Sequence, residues 1–164
     1  MFGDEFHWVM PPSTSDTLAG SPVADMIGTH VPSDVVSFAK YKTAYFMWFW
    51  GVGTAGTQTL TVIPCDDAVP SNTTTAIPFQ YKIVSATDTN AAWVAASTVT
   101  TTAGSDQMYI VKVSADDLPL VSGVKYEYAY SYALAVDSTA ILGGCIIMMA
   151  DPRYAEDTTD SVIA

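Results

Sequence analysis

The chain has 164 residues, of which 49% are hydrophobic and only 14% are charged, about half the usual charged share. This balance is the opposite of that of a disordered chain, and it predicts one domain with a sizeable core. The 17 acidic and 6 basic residues give a net charge of −11, which disfavours nucleic acids and anionic membrane surfaces as partners. The same charge is also ordinary for a soluble acidic protein.

The first 34 residues hold several prolines and no sustained periodicity, so we predict an extended N-terminal arm over residues 1–34. The arm carries large apolar side chains, which predict that it lies against an apolar surface. The candidate contacts to a neighbouring subunit or shell are Phe2, Phe6, Trp8, Val9 and Met10. The alternative is an arm that folds back over the edge of its own sheet.

From residue 35 onward, short β-type runs alternate with turn signals. In one run, for example, Leu60 and Val62 alternate with threonines, as in a strand with one buried face. The runs are 35–41, 44–52, 57–63, 77–84, 92–101, 108–114, 126–133 and 140–150. About eight strands at this spacing predict an all-β fold, an antiparallel, jelly-roll-like β-sandwich over residues 35–155, with an acidic tail at 156–164.

Two details of the sandwich follow from apolar runs. The nearly continuous apolar run 140–150 predicts a strand covered on both faces, with Gly143-Gly144 marking a bend or bulge. Trp93 lies in the apolar run 91–96 and is predicted to be buried between the sheets.

The motifs that resemble catalytic or cofactor sites have simpler structural explanations. Residues 51–56 match G-x-G-x-x-G, but a strand-type run follows where a dinucleotide site needs a helix, so we predict a hairpin loop. His7 and His30 lack other ligands at metal-binding spacing. Asp66-Asp67 and Asp116-Asp117 are predicted to be turn residues rather than paired catalytic carboxylates. We therefore expect no enzyme, cofactor or metal site.

The N-terminus is acidic and no apolar segment follows it, so no secretory signal is predicted and synthesis in a host cytoplasm is expected. Cys65 and Cys145 are too few for a disulfide framework. Two separate buried thiols are favoured, and a single disulfide is the alternative.

Aromatic residues leave a binding role open. Residues 45–50 hold five aromatics, and tyrosines recur with period two at Tyr126, Tyr128, Tyr130 and Tyr132. Core packing is the usual explanation, but an exposed row on a β-sandwich would suit sugar stacking or a protein interface.

Over roughly residues 53–155 the chain resembles small virion proteins encoded beside capsid genes in tailed bacteriophages and prophages. The similarity lies in GTQTLTV (56–62), CDD (65–67), AIPFQY (76–81) with Trp93, TAGSDQMY (102–109), Gly143-Gly144 and DPRYA (151–155). The resemblance implies a capsid decoration or cement protein on the virion surface that binds the major capsid protein, often as a trimer or dimer. It carries no catalytic signature.

We therefore expect a structural virion protein that reinforces the outer shell. The alternative is a carbohydrate-binding β-sandwich used in adhesion. An enzyme with an unrecognised site is a third and weaker hypothesis.

Overall fold

The computed structural model of the protein describes residues 6–9, 31–51, 56–86, 91–102, 107–136 and 143–153. These residues form two antiparallel sheets packed face to face, which confirms the predicted β-sandwich. The strands are β1 (Phe6–Val9), β2 (Val31–Pro32), β3 (Val36–Ser37), β4 (Tyr41–Trp50), β5 (Gln58–Cys65), β6 (Phe79–Val84), β7 (Val94–Ala96), β8 (Val99–Thr100), β9 (Met108–Ser114), β10 (Leu120–Val121), β11 (Val124–Lys125), β12 (Tyr128–Ala135) and β13 (Gly143–Pro152). A turn of 3-10 helix at Ala115–Asp117 follows β9.

The six-stranded sheet has the order β1-β13-β4-β9-β6-β7. The five-stranded sheet has the order β2-β12-β5-β8, with β3 also paired to β12, and β10 and β11 form a separate hairpin. The long strand pairs are nested along the chain, each inside the previous one: β4 pairs with β13, β5 with β12, and β6 with β9. Nested pairs that alternate between the sheets are expected of a long hairpin folded across both layers, as in jelly rolls.

The core lies between the sheets and is built from alternate residues of the long strands. From Ala44 to Trp50 in β4, the even-numbered residues face the core and are fully or almost fully buried, whereas the odd-numbered residues are partly exposed. The largest buried side chains are Trp48, Tyr41, Tyr109, Phe38, Phe46, Leu60, Ile147 and Met149. Most of these large buried side chains belong to the six-stranded sheet.

Four sequence-based expectations about individual strands are wrong. The run 35–41 does not form one strand, because it holds only β3 and the first residue of β4, which belong to different sheets. The run 92–101 forms not one strand but two short ones, because β7 pairs with β6 and β8 pairs with β5 in the other sheet. Gly143 and Gly144 pair regularly with β4 and form no bulge. Strand β13 is buried on its inner face only, since Ile146 and Met148 on its other face are partly exposed.

The connection after β4 also differs from the prediction. β4 and β5 belong to different sheets, so the prediction that residues 51–56 form a hairpin loop between them is wrong. Residues 52–55 lie outside the described residues. Gly56 has φ 111°, a conformation that glycine adopts without strain.

Parts of the predicted N-terminal arm lie in the sheets. Residues 6–9 form β1, which pairs with β13 along the edge of the six-stranded sheet. Val31 and Pro32 form β2, which pairs with β12 in the five-stranded sheet. The backbone of these residues thus hydrogen-bonds to its own chain, as in the alternative of an arm that covers its own sheet edge.

Candidate binding sites

The outer face of the six-stranded sheet is unusually apolar. Strand parity directs every second side chain away from the core, and on four adjacent strands these positions hold large apolar residues. We call this surface the apolar face; its residues are Phe6, Trp8, Met47, Phe49, Met108, Ile110, Ile146 and Met148. All of them are partly or well exposed.

The strand register makes the apolar face continuous. Ile146, Met47 and Ile110 lie side by side in one row across three strands. Phe49 and Met108 lie side by side in the next row. Four strands about 4.8 Å apart and six residues of about 3.3 Å each give the face an area of roughly 400 Å². Patches of roughly 300–600 Å² are the largest on ordinary monomers and are often functional.

Two of the predicted contact residues extend the apolar face at its β1 edge. Trp8 is 59% exposed and Phe6 is 39% exposed, although both lie in a paired strand. Val9 points inward and is 3% exposed, so it is a core residue. Phe2 and Met10 lie outside the described residues.

Methionines contribute strongly to the apolar face, since Met47, Met108 and Met148 all lie on it. The unbranched, polarizable thioether adapts to the shape of a partner and is frequent at binding surfaces. A shallow hollow of about 530 Å³ adjoins the face and is lined partly by Phe49, Met108 and Val84. The face can therefore receive a protruding apolar side chain.

Trp93 occupies a different position from the predicted one, and the expectation that it is buried between the sheets is wrong. Its side chain is 37% exposed and lies over the outer face of the six-stranded sheet. The ring centroid is 6.2 Å from that of Tyr45. The ammonium groups of Lys82 and Lys112 lie 5.0 Å and 5.7 Å from its ring centroid. Sequence reasoning assigned it to the core because small apolar neighbours surround it.

A second hollow, of about 340 Å³, lies close to Trp93. Its polar lining is Gln80, Lys112, Ser114 and Asp117. Lys112 contributes to this hollow and also approaches the indole of Trp93, so the two features share a side chain. The hollow thus combines an amide, an ammonium, a hydroxyl and a carboxylate beside an exposed aromatic ring.

The tyrosine row lies on the outer face of the five-stranded sheet. Tyr128, Tyr130 and Tyr132 are partly exposed, whereas the alternate residues Ala129, Ser131 and Ala133 are fully buried. The rings of Tyr130 and Tyr132 meet edge to face at 6.4 Å. The expectation of core packing is therefore wrong for these three tyrosines; Tyr126, which precedes the strand, is buried.

The aspartate pairs have the predicted turn roles. Hydrogen bonds from the side chain and backbone of Asn72 and from the hydroxyl of Ser71 lower the pKa of Asp66 to about 2. The Asp117 carboxylate accepts a hydrogen bond from the backbone N–H of Ser114 and caps the 3-10 turn. Both pairs thus stabilise chain reversals.

The remaining reactive side chains are also accounted for by packing. His7 stacks on Tyr41 at 6.0 Å, and His30 lies outside the described residues. Cys65 and Cys145 are free, buried thiols on different sheets, which confirms the favoured prediction. Burial raises the pKa of Cys65 to about 12, so its thiolate is scarce at neutral pH.

In the part of the chain that the structure describes, no three His, Cys, Asp or Glu side chains are grouped as metal ligands. Nor do these residues contain a helix that is long and apolar enough to cross a membrane. Comparisons of the chain with protein-family models, curated proteins and solved structures found no match.

Proposed function

We propose that the protein is a structural subunit of a virus particle, which docks on the major capsid protein through the apolar face and reinforces the outer shell. The observation that carries the proposal is the pair of exposed aromatics, Trp8 and Phe6, at the edge of a continuous apolar surface. The resemblance to virion proteins supplies the class of partner. Dimeric or trimeric association belongs to the same proposal.

The area of the apolar face suits a multipoint attachment. Its roughly 400 Å² is smaller than the roughly 800 Å² that each partner contributes to a standard protein interface. A protein at a junction between shell subunits makes several contacts, and each can be modest. Every contact that forms only in the assembled shell raises the free energy needed to separate the shell subunits.

The distribution of charge favours docking as well. The residues of the apolar face carry no charge. Burying the face against a partner thus has little cost in charge desolvation, which often offsets the gain from apolar contact.

Binding to empty shells assembled from the major capsid protein of the same genome tests the proposal. We expect the double substitution Phe6→Ser and Trp8→Ser to weaken co-sedimentation with these shells about tenfold or more, because exposed aromatics often dominate interface energies. Circular dichroism checks that the variant remains folded.

A control variant removes apolar side chains of the same fractional exposure from other places. Leu134, on the outer face of the five-stranded sheet, is 39% exposed, like Phe6, and Val136 is 59% exposed, like Trp8. The variant Leu134→Ser with Val136→Ser should bind shells like the unmodified protein. The proposal is wrong if both double variants bind normally, or if only the control variant loses binding.

A further inference from the structure

The indole ring of Trp93 lies over the outer face of the six-stranded sheet. Strand β7 pairs antiparallel with β6, and Val94 lies opposite Tyr81. Trp93, the next residue back, therefore extends over the sheet toward Lys82 on β6, Lys112 on β9 and Tyr45 on β4. All three contacts come from the sheet, so the exposed part of the ring faces away from it.

An exposed indole that packs against the sheet on one side is suited to stacking with a ligand on the other side. Aromatic faces carry partial negative charge and attract the weakly positive C–H groups of a sugar ring. The contacts with Tyr45 and with the two lysine side chains limit the rotation of Trp93. Less side-chain entropy is then lost when a ligand stacks on it.

The adjoining hollow supplies polar groups for the same ligand. Ala95, Gln80 and Lys112 follow one another in a row across three strands, and the hollow opens along that row. The Gln80 amide and the Ser114 hydroxyl can donate and accept hydrogen bonds, and the Asp117 carboxylate accepts them. The volume of about 340 Å³ lies at the lower end of the range for ligand pockets.

Two positive charges define the expected ligand further. Lys82 and Lys112 bring their ammonium groups to one ring, in a protein with only 6 basic residues. A ligand that stacks on Trp93 and extends past the edge of the ring into the hollow can place a carboxylate beside Lys112, which lines the hollow, in a charge-assisted hydrogen bond. We propose that Trp93, Lys112 and the adjoining hollow form a binding site for an acidic, carboxylated sugar, in addition to the proposed docking function.

Isothermal titration with oligosaccharides tests this site. The probes are hexamers of galacturonic acid, of alginate and of hyaluronan, and a sialylated trisaccharide, with neutral cellohexaose and a single-stranded DNA hexamer for comparison. We expect at least one acidic sugar to bind and cellohexaose to bind about tenfold more weakly or not at all. Trp93→Ala should weaken binding of the acidic sugar about tenfold or more.

Two further variants distinguish the contribution of Lys112 to sugar binding from the contribution of Trp8 to shell docking. Lys112→Gln should weaken the acidic sugar and leave any binding of cellohexaose unchanged. Trp8→Ala, which removes the exposed tryptophan at the other edge of the sheet, should not alter sugar binding, whereas it contributes to the proposed shell docking. A defect in one activity can therefore be distinguished from a defect in the other.

The proposal is overturned if none of the acidic sugars binds at millimolar concentration, or if Trp93→Ala binds the acidic sugar normally. Equal affinity for cellohexaose would contradict the role of the lysines. Equal affinity for the DNA hexamer would show an unspecific anion site instead of a sugar site.

Discussion

Trp48 donates a hydrogen bond of 2.9 Å from its indole Nε1 to the hydroxyl of Ser131, across the space between the two sheets. Ser131 in turn donates to the carbonyl oxygen of Thr61. Nearby, Trp50 donates to the side-chain oxygen of Gln58 at 3.0 Å. Both indoles are thereby buried without loss of a hydrogen bond, and each fixes the position of one sheet relative to the other.

Ser131→Ala should lower the free energy of unfolding by about 1–3 kcal/mol, because the buried Trp48 N–H loses its acceptor. Denaturant unfolding followed by tryptophan fluorescence measures the change. Ser97, which is exposed, provides the control, and Ser97→Ala should change stability by less than about 0.5 kcal/mol. Equal stabilities of the two variants would mean that the inter-sheet hydrogen bond contributes nothing.

Gly143 and Gly144 should differ in their tolerance of alanine. A Cβ at Gly143 would lie 2.5 Å from the backbone oxygen of Phe49, which cannot move without disturbing β4. A Cβ at Gly144 would lie 2.8 Å from the far end of the Phe49 ring, which can rotate away. We expect Gly143→Ala to cost about 1–3 kcal/mol and Gly144→Ala less, as measured by chemical denaturation. The reverse order would contradict this account.

Asp34 should make the protein more stable as the pH falls. Its side chain is 5% exposed, and Oδ2 has no hydrogen-bond partner in the described part of the chain. Burial raises the pKa of Asp34 above its ordinary 3.8, against a smaller opposing effect of the Val35 N–H. The ionised form therefore costs stability at neutral pH, and this cost disappears as the pH falls through the raised pKa toward 3.8.

Comparison with Asp34→Asn isolates this effect, since the amide does not titrate and other groups, such as Asp66, are common to both proteins. As the pH falls from 7 to about 4, the free energy of unfolding of the unmodified protein should rise relative to that of the variant. A difference that stays constant over this range, in urea titrations at each pH, would show that the pKa of Asp34 is not raised.

The alternation of residues in the sequence was sufficient to predict most of the long strands, but not which face of each strand is buried. In β12 the large tyrosines face outward, and the small residues Ala129, Ser131 and Ala133 face the core. The reason lies on the opposite sheet, where Trp48 and Trp50 already fill the space. A pattern with period two defines two faces, and only the opposing sheet decides between them.

The candidate sites were predictable to different degrees. Phe6 and Trp8 were predicted from their size in a segment without periodicity, and both are exposed. The site around Trp93 was not predicted, because Lys82, Lys112 and Tyr45 are distant from it in the sequence. Their proximity depends on the pairing of β6 with β7 and β9, which local sequence patterns do not specify.

Methionine oxidation during shell binding tests the docking proposal most directly. Met47, Met108 and Met148 are partly exposed on the apolar face, and Met149 is fully buried in the core as an internal control. Hydrogen peroxide footprinting read by mass spectrometry compares the free protein with the protein bound to shells. We predict slower oxidation of the three methionines in the bound state and no change at Met149. Unchanged oxidation of the three methionines in a bound sample would contradict docking through the apolar face.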